Sequence, residues 1–545
     1  MLAIAAIVVV IYWPGLHGDW GRDDYFQLAF VRLLESPWPL FVHDHFPVPG
    51  SVFRPLGVAS MWLGAAMFGA DYAAHAASDL ALHVAVSLAL FALLARIGLA
   101  ALPAAGATLL FALHPATIGT ALWWSARFDL LATLFVLLAL NAAWAYRERQ
   151  RWPLLAAVLA AVLAALLSKE IGLAAVVAIG ALWAHWAVAM PVRRATALRA
   201  IAWLGLCVPA WFGWRAAVLG TPASGLTGNA SLTAAFADGM ADWARMAPGY
   251  FLHHARLGAP ARMVIAFAAL LMLVALAWRA REQAARPGRF VAWLCCGLAL
   301  LLAPAVLQAP VAALNASPLD GSVSAVETAM QSRLYYLGIA GLALLFAALL
   351  EWIWRAPGTA ARVLALAAMS PLLVAWALAS HRAATDFAHR SVDIARVAHA
   401  ALEGVERLQL PSSHCHVVLL CVEQAPEWGG YVSMDSALKA LAPDPARLGH
   451  CWFHAETTTW FHLLAAPVAD EDALPFAPLE LDGQRLPWRE VGGVAIAYLQ
   501  ARQPFEASQL ARMRFLRWQA GRFEDAGADV LEGRVPLRIG VAPVR

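Results

Sequence analysis

Two adjacent carboxylates, Asp23 and Asp24, stand in the run GDWGRDDYF near the start of the chain. A carboxylate can take the proton from a hydroxyl as that oxygen forms a new bond. Adjacent side chains diverge, so one acid would act as base and the other would position a cation or cap a helix, a role Asp favours. Asp24 is the preferred base. Asp23 follows Arg22 directly, whereas Asp24 precedes the aromatic pair Tyr25-Phe26. A second set of residues is basic. Arg54 lies in FRPLG, His114 and Arg127 in HPATIGTALWWSARFDLL, Lys169 in LLSKEIGLAA, Arg215 in WFGWRAAVLG and Arg333 in QSRLYYLG. Asp129 and Glu170 accompany them as supporting acids. Fixed Arg and Lys stabilise an anionic leaving group without a metal, and at headgroup depth they suit a lipid phosphate. Read structurally, the same charges are ion pairs closing short turns, Lys169 with Glu170 among them.

One constellation competes. His43-Asp44-His45 has the His-x-His spacing with an acid that can ligate a metal. Loop histidines more often simply face solvent or an interface, and neither a metal nor any other cofactor is expected here. His414-Cys415-His416 alternates as a strand does, with both histidines on one face.

The elements that must position these residues are membrane helices. Of 545 residues, 61% are hydrophobic and 14% charged, against about 25% charged in soluble domains. Apolar runs near 20 residues then read as a polytopic α-helical membrane protein. The 24 Trp suit many membrane–water interfaces, and a net charge of +3 gives no footprint for nucleic acid. The apolar N-terminus lacks a basic segment before Arg22 and reads as an uncleaved first helix. The expected spans are 1–17, 76–97, 99–114, 124–146, 152–168, 171–190, 198–219, 250–277, 290–313, 333–353 and 361–381, about eleven in all. Residues 53–69 are read as an interfacial helix.

Basic linkers fall on alternate loops: Arg147 to Arg151, Arg193 to Arg199, Arg279 to Arg289 and Arg355 to Arg362. The positive-inside rule makes that side cytoplasmic. All the motifs above then face the other side. From 382 charge rises and apolar runs shorten to strand length, as in HVVLLCV and GVAIAYL. Residues 382–545 are therefore expected to form a small extracytoplasmic α/β domain beside a membrane domain over 1–381. Cys415, Cys421 and Cys451 fall in it, and an oxidising compartment could pair two of them.

In order, RDDYF, FRPLG, the HPATIGTALWWSARFDLL and LLSKEIGLAA pair, WFGWRAAVLG and QSRLYYLG resemble the multi-spanning O-mannosyltransferase family that carries tetratricopeptide repeats, and its bacterial relatives. The resemblance covers about 20–380. It implies a GT-C glycosyltransferase of the bacterial inner membrane that moves a sugar from a polyprenyl-phosphate lipid to an extracytoplasmic acceptor hydroxyl. By position it assigns Asp23 and Asp24 to the acidic pair that supplies the base. Arg54, His114, Arg127, Lys169, Arg215 and Arg333 fall to the donor phosphate. Two departures concern the acceptor: the repeats are missing, and Gln331 stands where an acid is expected. A transporter or a non-catalytic scaffold for envelope glycan assembly are the alternatives. A transporter would bury charge at the midplane in repeated halves, and a scaffold would tolerate loss of the acidic pair.

Overall fold

A computed structural model describes residues 1–21, 23–46, 50–220, 240–241, 287–312, 332–355, 359–411, 415–425, 433–455, 462–465, 476–478, 480–481, 484–485, 489–497, 499–501, 505–535 and 537. They form two compact units. One holds 1–16, 50–57 and 76–387; the other holds 17–49, 58–75 and 388–545.

The first unit is helical. Its elements are α1 (Leu2–Tyr12), the bulk of α4 (Tyr72–Ile97), α5 (Ala101–Ala112), α6 (Ile118–Leu122), α7 (Arg127–Arg149), α8 (Trp152–Ser168), α9 (Leu173–Ala189) and α10 (Arg194–Leu219). After α2 (Asp23–Leu33), which lies in the other unit, α3 (Pro55–Phe68) divides between the two. Beyond α10 come α11 (Pro287–Ala312), α12 (Tyr336–Arg355) and α13 (Thr359–Arg407). Among the described residues four helices are long and apolar enough to cross a membrane, Tyr72–Ile97, Trp124–Arg149, Glu170–Ala189 and Pro191–Leu219. They become five if the bent pair Ala101–Ala112 and Pro115–Leu122 is one span. Leu2–His17, Trp152–Ser168, Trp293–Pro304 and Arg333–Ala348 are shorter apolar helices. The expected span 250–277 lies outside the described residues, as does Gln331. At 14 residues α3 reaches about 21 Å, short of the ~30 Å hydrocarbon core.

Local chemistry explains the breaks. Pro115 has no N–H and disfavours helix at the residue before it. His114 is accordingly extended, with ψ 124°, and its Nδ1 accepts from the Ala116 N–H at 3.1 Å. The chain bends 56° there. Between α7 and α8, Gln150 takes the left-handed conformation at φ 51° and the chain reverses within two residues. The turn after α8 needs Gly172, since a Cβ there would stand 2.6 Å from the Ala165 carbonyl carbon. Reversal at each connection brings the start of α7, the end of α8 and the start of α9 to one end.

The second unit mixes helix and sheet. Its strands are β1 (Cys415–Leu420), β2 (Cys451–Ala455), β3 (His462–Leu464), β4 (Phe476–Pro478), β5 (Glu480–Leu481), β6 (Gln484–Arg485), β7 (Arg489–Val491), β8 (Val494–Ala497), β9 (Leu499–Ala501), β10 (Met513–Gln519) and β11 (Arg522–Asp525). The main sheet runs β11-β10-β1-β2. β1 is parallel to both β10 and β2, and β11 is antiparallel to β10. Val418, Leu420, Trp452, Met513 and Phe515 lie in its core. The disulfide joins Cys415 to Cys451, partners across β1 and β2, leaving Cys421 outside it. Helix runs on through 382, where a soluble domain was expected to begin, as far as Arg407. Ala384, Phe387, Ala388, Ser391, Ala395, Ala398, Ala401 and Val405 keep a buried helical stripe after the apolar run ends.

The first loop belongs to this second unit. The Arg32 guanidinium donates to the carbonyls of Ala440, Ala442 and Pro443 at 2.6, 2.8 and 3.0 Å. It thereby satisfies the open end of α14 (Met434–Leu441), as cations do at helix C-termini. Asp44 pairs with Arg489 at 2.9 Å.

Three buried histidines line the sheet beside α14. His416 Nδ1 and His454 Nε2 share one hydrogen bond at 3.2 Å, and the rings of His454 and His462 lie 4.6 Å apart. Asp435 and Lys439 of α14 pair at 2.8 Å next to them. Burial, then the charges of His462, His416 and Lys439, push His454 well below the usual imidazole range. Burial pushes His462 down to about 4, with Asp435 opposing and Lys439 assisting. A histidine kept neutral in the fold binds its proton more readily when unfolded, so stability is held above about pH 6.5 and lost as pH falls toward 4. The hydrogen-exchange protection factors of β1, β2 and β3 in the full chain, each rate taken relative to the intrinsic rate at that pH, should fall over that interval, and less so in His454→Gln. Equal protection at pH 7 and pH 4.5 would remove the histidines from the account.

Candidate functional site

In the first unit the charged motifs meet at helix ends. Lys169 is the residue between α8 and the turn leading into α9, and Glu170 follows it. The two do not pair with each other. Lys169 Nζ donates to both oxygens of Asp129 at 2.7 Å, and both side chains are buried. Glu170 turns to two arginines. Arg54 reaches its Oε2 from Nε at 3.1 Å and from the terminal nitrogen at 2.8 Å. Arg215, in the last turns of α10, stands 3.6 Å from Oε1 and donates to the Ser51 carbonyl at 3.0 Å. The Arg54 guanidinium also lies 5.4 Å from the Phe128 ring centre. Arg333 opens the turn into α12 and sits over the Trp123 ring at 4.6 Å. Its charge, like that of Arg54, acts on Lys169. Arg54 and Arg215 thus meet at Glu170, Lys169 is held by Asp129, and Arg333 acts on Lys169 through its charge.

Two sequence candidates have further structural duties. Arg127 donates to Asp79 of α4 at 2.6 Å and to Ser78. His114 is built into the bend before α6, edge-on to Trp376 at 4.5 Å. Asp79 escaped the sequence reading, yet a signal existed. It is the one acid in the 26 residues of α4, with His75 and His83 four residues to either side on the same helical face. An acid in an apolar helix is costly unless paired or used.

Glu170 serves two guanidiniums, those of Arg54 and Arg215, and Arg333 brings a further cation whose charge acts on Lys169. Lys169 with Asp129 and Arg127 with Asp79 cancel in pairs.

In the second unit Asp23 and Asp24 open α2. Acids in a first helical turn meet the positive end of the helix. Asp23 is exposed and Asp24 is 3% exposed. Tyr25 beside them is fully buried, and its hydroxyl has no hydrogen-bond partner among the described residues. Burial and the charges of Asp19 and Asp24 push that phenol well above its usual range. Asp19 accepts from His399 at 3.0 Å, which lifts the imidazole above its ordinary value. In the His43-Asp44-His45 run Asp44 is held by Arg489, and His45 Nδ1 meets the His43 backbone carbonyl at 3.3 Å.

No protein-family model matches the chain, and no curated protein matches it. Among solved structures it is similar to ArnT from Cupriavidus metallidurans in the apo state, at 13% identity and a TM-score of 0.42, over 91% of this chain and 97% of that one. The same protein bound to undecaprenyl phosphate gives 12% and 0.41 over the same shares. The Archaeoglobus fulgidus oligosaccharyltransferase tethered with an acceptor peptide gives 12% and 0.40, over 80% of this chain and 63% of that one. The chain therefore spans less than two thirds of that protein's length. Likeness at this level fixes neither activity nor substrate.

Proposed function

We propose that this chain is a membrane glycosyltransferase that moves a sugar from a polyprenyl-phosphate donor to a hydroxyl acceptor outside the cytoplasm. The observation that carries the reading is the shared Glu170: one carboxylate bridges Arg54 and Arg215, so two guanidiniums from separate segments stand together at helix ends. Arg54, Arg215, Arg333 and Lys169 are assigned to the donor phosphate, and guanidiniums suit it through paired N–H donors. Asp24 is assigned the base. The acceptor oxygen bonds to the sugar carbon and its proton passes to the carboxylate. The bond from that carbon to the phosphate oxygen breaks, and its electron pair leaves with the lipid phosphate, which the cations stabilise.

Orientation follows from the basic loops, which put residues 382–545 outside. The Cys415–Cys451 disulfide supports that side, since such bonds persist in oxidising compartments.

Binding of decaprenyl phosphate to the purified chain in nanodiscs, read by native mass spectrometry, tests the donor site. Arg215→Gln is expected to weaken binding tenfold or more, the scale of one charge-assisted contact to an anion, about 1.5–3 kcal/mol. Equal affinity in the variant and the parent would sink the assignment.

A further inference from the structure

The second unit carries a cleft that the assigned donor and base residues do not line. It measures about 510 Å³, within the range of small-ligand sites. Arg396, Gln424, Arg517, Trp518, Gln519 and Gly521 line it. Topology puts it there. β1 lies between two parallel neighbours, β2 reached through α14 and β10 reached much later. Chain leaving β1 turns toward one side while β10 stands on the other, so a crevice opens beyond their carboxyl ends, where open α/β sheets bind ligands. Gln424 ends the short turn Val422–Gln424 that follows β1, and Arg517, Trp518 and Gln519 end β10. Ala520 and Gly521 join β10 to β11 in a two-residue turn with φ of 50° and 86°, the twist that a tight hairpin prefers.

The lining has a definite chemistry. Arg517 and Arg396 bring two positive charges. Glu524 faces Arg517 across the β10–β11 register but is held by Arg522 at 2.6 Å. Arg517 Nε is buried and has no hydrogen-bond partner among the described residues. Arg396 pairs with Asp393 at 3.0 Å in an exposed contact, the kind that is worth little in water and gives way to a better anion. Trp518 is half-buried, with Phe523 against it at a steep angle and 5.2 Å between centres. An indole offers a flat apolar face with a polar edge, and the two glutamine amides offer both donors and acceptors. A planar apolar face, amides for hydroxyls and a fork of guanidinium donors together fit one class of ligand.

We propose that this cleft binds an anionic saccharide, a sugar unit bearing a phosphate or a carboxylate. As a statement about the acceptor this rests on the transferase reading; as a statement about binding it does not. The test therefore reads binding without turnover, so loss of transfer activity and loss of binding are separate outcomes. The full chain in nanodiscs is titrated with D-glucuronate, α-D-glucose 1-phosphate, D-glucose and inorganic phosphate, followed by saturation-transfer NMR of the probes. The two anionic sugars should compete with each other. The tighter of them should bind at least tenfold better than glucose or phosphate alone, and its identity separates carboxylate from phosphate. Arg517→Ala and Trp518→Ala should each weaken it tenfold or more, while Arg215→Gln leaves it unchanged. Should either cleft variant fail to fold, Arg396→Ala on the exposed helix face carries the test, with a threefold or greater loss expected. No binding, equal binding of glucose, affinity unmoved by the cleft variants, or loss on Arg215→Gln would each overturn the proposal.

Discussion

Asp24→Asn is expected to cut sugar transfer by roughly 10²–10⁴-fold, the usual contribution of a positioned base, while binding of the donor lipid survives. Asn keeps the shape of the side chain and removes its ability to hold a proton, so the variant separates chemistry from folding. Asp23→Asn should be milder. Asp23 is exposed in the first turn of α2, where an acid mainly meets the helix end, an effect of about 0.3–1 kcal/mol. The measurement is the initial rate in nanodiscs with a defined polyprenyl-phosphate sugar. Full activity in both variants would leave the acidic pair without a catalytic role and favour a scaffold.

Lys169→Ala is expected to fail at folding before it fails at binding. Its ammonium is locked between both oxygens of buried Asp129. Removing one partner of a buried pair leaves an uncompensated charge and costs about 3–5 kcal/mol. Replacing both, Lys169→Met with Asp129→Leu, should recover much of that loss, because no charge is left without its partner. Thermal unfolding in detergent reads the difference. A single variant as stable as the parent would show that the pair holds nothing together, and would return Lys169 to a role in binding alone.

The charged residues at these helix ends, Asp79 apart, were visible in the sequence as types; their partners were not. Lys169 and Glu170 are neighbours and look like a closed pair, yet the extended backbone at Lys169, with φ −165° and ψ 152°, sends them to different partners. Asp129 lies 40 residues from Lys169 and Arg54 lies 116 from Glu170. Hydropathy shows which segments are helical and which ends they share, but not which end groups touch. The C-terminal α/β character was legible from short apolar runs between Pro and Gly. That the first loop packs in the same unit was not, because the bonds from Arg32 to the end of α14 leave no pattern in local composition. Hydropathy falls at His381-Arg382, whereas the helix and the buried stripe of α13 continue to Val405, a continuation that composition alone does not show.

The Arg32 contact has a consequence for biogenesis. Arg32 and Ala440 are 408 residues apart. At about 5–20 residues per second, synthesis leaves α2 waiting roughly 20–80 s for the helix it caps. During that interval the segment bearing Asp23 and Asp24 lacks its docking partner, and its buried face, with Tyr25, Phe26 and Phe30, is uncovered. Nascent chains halted before residue 434 should therefore expose α2 to protease, and chains released after the disulfide has closed should shield it. The acidic pair of this protein waits for a contact made 408 residues later, although it is among the first residues made.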